Sequence, residues 1–192
     1  MKAYKTLPEN YKEIYSINLQ KDKKTNIFVN ILSLIIAILM IVPAFFAVPI
    51  TTFFVYSGDL ISLLIKLAII LVSIVIYMVL HEVVHGIAMK ICGTKKIKYG
   101  FNGLYAYAGS DDYYDKKSYI IIALAPIVLF GIILGIINAL VPKEWFWVVY
   151  FIQLENISGA AGDLYVTFKF LKLPNDILVK DSGLGMSVFS GK

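Results

Sequence analysis

Residues 60–91 read LISLLIKLAIILVSIVIYMVLHEVVHGIAMKI. The stretch up to Leu80 is apolar almost throughout and, as a helix, long enough to cross the hydrocarbon core of a bilayer. The same helix then runs into His81-Glu82-Val83-Val84-His85. Helical positions i and i+4 share a face, so His81 and His85 can grip one metal ion together. Glu82 sits where a carboxylate reaches water activated by that metal. The chain has only two histidines, and the motif uses both. Two histidines placed at random fall four apart in about 1% of arrangements, and requiring a glutamate after the first makes the coincidence about one in a few thousand. We therefore read a zinc site of hydrolytic type rather than a histidine pair that packs or caps a helix.

Outward from that stretch the chain stays apolar. Hydrophobic residues make up 59% of it and charged residues 16%, with a mean hydropathy of +0.76. Such a composition excludes an ordinary soluble domain and predicts an all-α polytopic membrane protein. Four spans are expected: residues 27–50, bent or ended by Pro43 and Pro49; 60–91, stopped by Gly93; 119–141, interrupted by Pro126; and 145–170. Lys66, near the outer end of the second span, is expected to snorkel to the interface. Gly131 and Gly135 have the spacing of a close helix contact. Between the second and third spans, Asn102-Gly103 separates two β-prone runs, 97–101 and 104–108, and predicts a small hairpin.

The organisation that follows is a lysine-rich N-terminal tail (1–26), a membrane metallopeptidase-like domain (27–171) and a C-terminal tail (172–192). The N-terminal tail reads either as an interfacial helix or as a solvated segment, and no cleaved signal peptide is expected. The net charge of +5 comes from lysine alone, concentrated in both tails and in the 94–118 loop. By the positive-inside rule this places both termini and the hairpin in the cytoplasm, with the protein in the cell membrane. A basic face with interleaved aromatics is missing, so nucleic acid is not an expected partner. With Cys92 as the only cysteine, disulfides within the chain and thiolate zinc clusters are excluded.

A catalytic zinc wants three protein ligands and an open position. Counting along the helices brings His81, after about 20 residues of its span, and Asp163, after about 18, to the same depth near the cytoplasmic end. Asp163 is thus the expected third ligand; Glu155, about 12 Å further out along the helix axis, is the alternative. Asn156, Gly159, Ala160 and Asp163 form one stripe, and Asn156 is the candidate oxyanion donor, with Glu82 as general base. An extended substrate, a membrane-associated protein or peptide, would add as a strand to the hairpin edge.

The stretches HEVVHGIAMKICG (81–93), KYGFNGLYAYAG (98–109), the span with Ala125-Pro126, and SGAAGDLYV (158–166) with the following KLPNDILVKDSG resemble a family of bacterial multi-pass membrane proteins described as zincin peptidases and classed as a domain of unknown function. The resemblance covers most of residues 80–183 and implies a metallopeptidase fold in the membrane. More distantly the chain is similar to site-2 intramembrane metalloproteases, which pair HExxH with an aspartate on a later helix. Here Gly159 stands where those have proline, and Gly162-Asp163-Leu164 inverts their Leu-Asp-Gly order. The competing expectation is a non-enzymatic membrane protein whose structural metal site docks a partner protein. It would have no use for Glu82. A transporter is disfavoured by the lack of an internal repeat.

Overall fold

A computed structural model describes residues 2–18, 21–55, 60–103 and 106–191. In chain order they form β1 (Ala3–Tyr4), β2 (Lys12–Ile17), α1 (Lys23–Ala47), α2 (Thr51–Val55), α3 (Leu60–Ile91), β3 (Lys98–Phe101), β4 (Ala106–Gly109), β5 (Tyr113–Asp115), α4 (Lys116–Leu140), α5 (Lys143–Leu154), a π-turn (Glu155–Gly159), α6 (Ala161–Leu171), β6 (Leu178–Asp181) and β7 (Met186–Ser190). Among the described residues, α1, α3 and α4 are long and apolar enough to cross a membrane. The expected fourth span is two shorter helices, α5 and α6, joined through the π-turn. The chain divides into two compact units.

One unit comprises Met1–Val29, Val79–Ala125 and Gly162–Lys192. It holds an antiparallel sheet in the order β1-β5-β6-β7-β2, which corrects the all-α expectation. Residues 12–17 and 186–190 pair with a register shift between Glu13 and Tyr15, so the N-terminal segment is strand rather than interfacial helix. Strand pairing between distant segments leaves little trace in local sequence: β1 and β5 are short, and the core side is marked by scattered residues, Ile17, Tyr114, Val179 and Val188. Around them pack Met89, Ile122, Phe170 and Ile177. The junction of β5 and α4 is fixed by Asp115, whose carboxylate accepts the Ser118 N–H at 2.9 Å and hydroxyl at 3.0 Å, as an N-cap does.

Helix α3 ends as predicted at Gly93, with φ +102. The Thr94 N–H bonds the Met89 carbonyl at 3.2 Å and the Gly93 N–H bonds Lys90 at 2.9 Å, the paired bonds of a left-handed C-terminal cap. The hairpin β3–β4 forms, but in register Phe101↔Ala106, so four residues separate the strands rather than two. Leu104 and Tyr105, expected in the second strand, lie outside the described residues.

The other unit comprises Asn30–Met78 and Pro126–Ala161, with a core of Ala44, Phe53, Trp147 and Val148. Lys66 departs from the snorkelling expectation: it is 3% exposed. Its ammonium donates to the Phe53 carbonyl at 3.0 Å and lies over the rings of Phe53 and Trp145. Buried charge needs such partners, and the α2 backbone supplies one. Of the two spaced glycines, Gly131 faces Asn156 and Gln153, whereas Gly135 has nothing close by.

Candidate metal centre

Helix α3 carries His81 and His85 on one face and α6 brings Asp163 to them. His81 Nε2 lies 3.1 Å from His85 Nε2 and 3.2 Å from Asp163 Oδ2; His85 Nε2 lies 3.6 Å from the same oxygen. A tetrahedral zinc with bonds of about 2.0–2.2 Å separates its ligand atoms by roughly 3.3–3.5 Å. The donor set therefore fits one zinc ion in chemistry and in spacing. Both histidines are buried, each 9% exposed, while the Asp163 side chain is 27% exposed.

The neighbouring groups orient this set. His85 Nδ1 donates to the Ile122 carbonyl at 2.9 Å, which leaves Nε2 turned to Asp163. The Glu82 carboxylate accepts the Ala108 backbone N–H. An amide that leaves the hairpin in this way marks Tyr99↔Ala108 as a non-hydrogen-bonded pair, so the Tyr99 and Phe101 backbone groups face the outer edge of β3. Just past β4 that same parity puts Ser110 outward, and its N–H bonds the Asp181 carbonyl at 2.7 Å. The outer edge of β4 is thus engaged within the protein, and among the described residues β3 carries the free edge.

The hairpin is seated on α3 through glycine. A Cβ at Gly86 would meet the Tyr99 hydroxyl at 1.9 Å, so only hydrogen at this position lets the ring lie on the helix beside His85. Tyr107 uses Gly183 (φ +83) likewise, where a Cβ would come within 2.3 Å of its ring.

Two side chains near the centre escaped the sequence reading. Asp181, on β6, accepts a hydrogen bond from the Tyr119 hydroxyl and another from the Gly183 N–H at 2.8 Å. Burial pushes its carboxyl above the usual carboxylate range. The only local signal for Asp181 was the Asp-Ser-Gly turn at 181–183, which marks a loop and not a buried acid. Tyr119 looked like one aromatic of a span.

Asn156 and Glu155 belong to the other unit. Asn156 is fully buried; its amide donates to the Ile127 carbonyl at 3.2 Å and to Gln153 Oε1 at 3.5 Å, and its oxygen accepts the Tyr77 hydroxyl at 3.0 Å. The Glu155 carboxylate lies over Gly159 and is not among the residues brought to the histidine pair.

A family model described as "Putative zincin peptidase" matches residues 74–178, more than half of the chain. The curated proteins and the solved structures give no match.

Proposed function

We propose, from the premise that this chain belongs to the family described as "Putative zincin peptidase", a zinc-dependent endopeptidase embedded in the membrane and cutting peptide bonds near its cytoplasmic face. The observation that carries the reading is the convergence of His81, His85 and Asp163 within 3.6 Å beside Glu82. Zincin membership implies zinc, and these three residues would hold it. When bound, zinc supplies Lewis acidity, polarising the scissile carbonyl and acidifying water.

The protein's own groups do the rest. Glu82 takes the proton from the attacking water on its carboxylate and returns it to the leaving amine. The Ala108 N–H holds that carboxylate in place during both transfers. The free edge of β3 binds an extended peptide by backbone hydrogen bonds, and the exposed Tyr99 and Phe101 side chains cover it. In this reading Asn156 ties the π-turn to α4 and α3, through the Ile127 carbonyl and the Tyr77 hydroxyl. The lysine distribution supports α1, α3, α4 and the α5–α6 pair as four traverses with both termini in the cytoplasm.

The test separates ligand from base, and so enzyme from structural metal clip. In purified full-length protein, His81→Ala and Asp163→Ala should fall well below one zinc per chain, because an incomplete donor set no longer compensates for dehydrating the ion. Glu82→Gln should keep its zinc and lose turnover, and Glu155→Ala should keep both. If Glu82→Gln changes no cleavage product in the membrane proteome, the metal-clip reading replaces the peptidase. If Glu155→Ala loses zinc and Asp163→Ala keeps it, the third ligand is wrong.

A further inference from the structure

We propose that Pro126 is a positioning residue for the metal centre: it withholds a backbone N–H from the Ile122 carbonyl and so reserves that carbonyl for His85 Nδ1. The inference rests on His85 being a zinc ligand. Helix α4 continues through Pro126 to Leu140. In an uninterrupted helix the carbonyl of residue 122 accepts the N–H of residue 126. Proline has no N–H, and its ring pushes the carbonyl four residues earlier off the helix axis. The displaced carbonyl is that of Ile122, and it is the one that His85 Nδ1 reaches at 2.9 Å.

Burial makes the arrangement binding in both directions. Ile122 is 1% exposed and Pro126 is fully buried, so water is a poor substitute partner for the freed carbonyl. A carbonyl only accepts, which forces the His85 proton onto Nδ1 and leaves the Nε2 lone pair bare. Nε2 is the atom 3.1 Å from His81 Nε2 and 3.6 Å from Asp163 Oδ2. The proline thereby sets both the tautomer and the direction of a ligand 41 residues away in sequence, before any metal arrives. Its place in the middle of an apolar span otherwise only weakens that helix.

Pro126→Ala restores the N–H and relaxes the displaced carbonyl. The two lone pairs of a carbonyl let it share, so His85 is loosened and not released. Zinc affinity, measured by competition with a chelator on full-length protein in detergent, should fall about tenfold, the low end of what losing an orienting partner costs a metal site. Pro43→Ala, which repairs a proline in α1, should leave affinity unchanged. A readout independent of zinc comes from nitrogen NMR: with two histidines the spectrum holds only two rings. In metal-free wild-type protein with neutral imidazoles, His85 should be the Nδ1–H tautomer, and Pro126→Ala should show a mixture. An Nε2–H tautomer in the wild type overturns the proposal, even if the variant fails to fold. So does a Pro126→Ala protein with unchanged tautomer, whatever its zinc affinity. His85→Ala that binds zinc like the wild type would refute the ligand reading instead, and the tautomer result would still decide what Pro126 does to His85.

Discussion

Replacing Gly86 by alanine should leave the protein as stable as before and yet nearly inactive. The new Cβ would stand 1.9 Å from the Tyr99 hydroxyl and 2.7 Å from Cζ. Carbon contacts settle at about 3.5–4.0 Å, so the end of the ring must retreat by roughly 1.5 Å or more. Tyr99 is half exposed, so its ring and the hairpin that carries it can lift off the helix together at small cost to folding. Alanine also favours the helix over glycine by about 0.5–1 kcal/mol, which offsets that cost. The site is not so tolerant. Tyr99 pairs with Ala108, and the Ala108 N–H holds the Glu82 carboxylate. A hydrogen bond to a charged group contributes about 1.5–3 kcal/mol, so losing it slows proton transfer by roughly 10- to 100-fold. The assay follows the membrane-proteome fragments that vanish in Glu82→Gln, alongside thermal unfolding and zinc content. Gly86→Ala should keep its melting temperature within a few degrees, keep its zinc, and lose most of those fragments. Full turnover would refute the link from Gly86 through Tyr99 to Glu82. Lost zinc would refute it differently, by showing that the helix itself had moved.

Three further outcomes follow from the same geometry. Phe101→Pro removes an outward amide from the free edge of β3 and should abolish cleavage with zinc content unchanged; full activity would rule out strand addition there. Cys92 is 4% exposed, so a membrane-impermeant maleimide should not reach it in native protein. In a Cys92→Ser background, Lys96→Cys should label in inverted vesicles and not in intact cells, and the reverse pattern would invert the topology. Asp181, with its carboxyl raised by burial, should make stability fall as pH rises from the usual carboxylate range towards its folded value. In that window the folded chain holds a proton that the unfolded chain has lost. Asp181→Asn should flatten the decline measured by thermal unfolding against pH, and an unchanged slope would refute it.

Local pattern alone determined much of this protein. Apolar runs of bilayer length, the i, i+4 histidines with Glu82 between them, and Gly93 just past the helix end need no partner elsewhere, because each is a property of one helix. A depth count even brought Asp163 to the histidine level, since rise per residue is nearly constant along a helix. What depended on the tertiary structure shares a different physics. The sheet joins residues 3–4 and 12–17 with 113–115, 178–181 and 186–190, and pairing across such distances is set by register and burial rather than by neighbours in sequence. The partners of Asn156, the Ile127 carbonyl and the Tyr77 hydroxyl, lie 29 and 79 residues away and leave no mark in its own stretch. Lys66 looked like a snorkelling residue until the Phe53 carbonyl stood beside it. The Ile122 carbonyl carries no sequence signal whatever, because every residue has one. Only the packing of α3 against α4 made it a partner for His85.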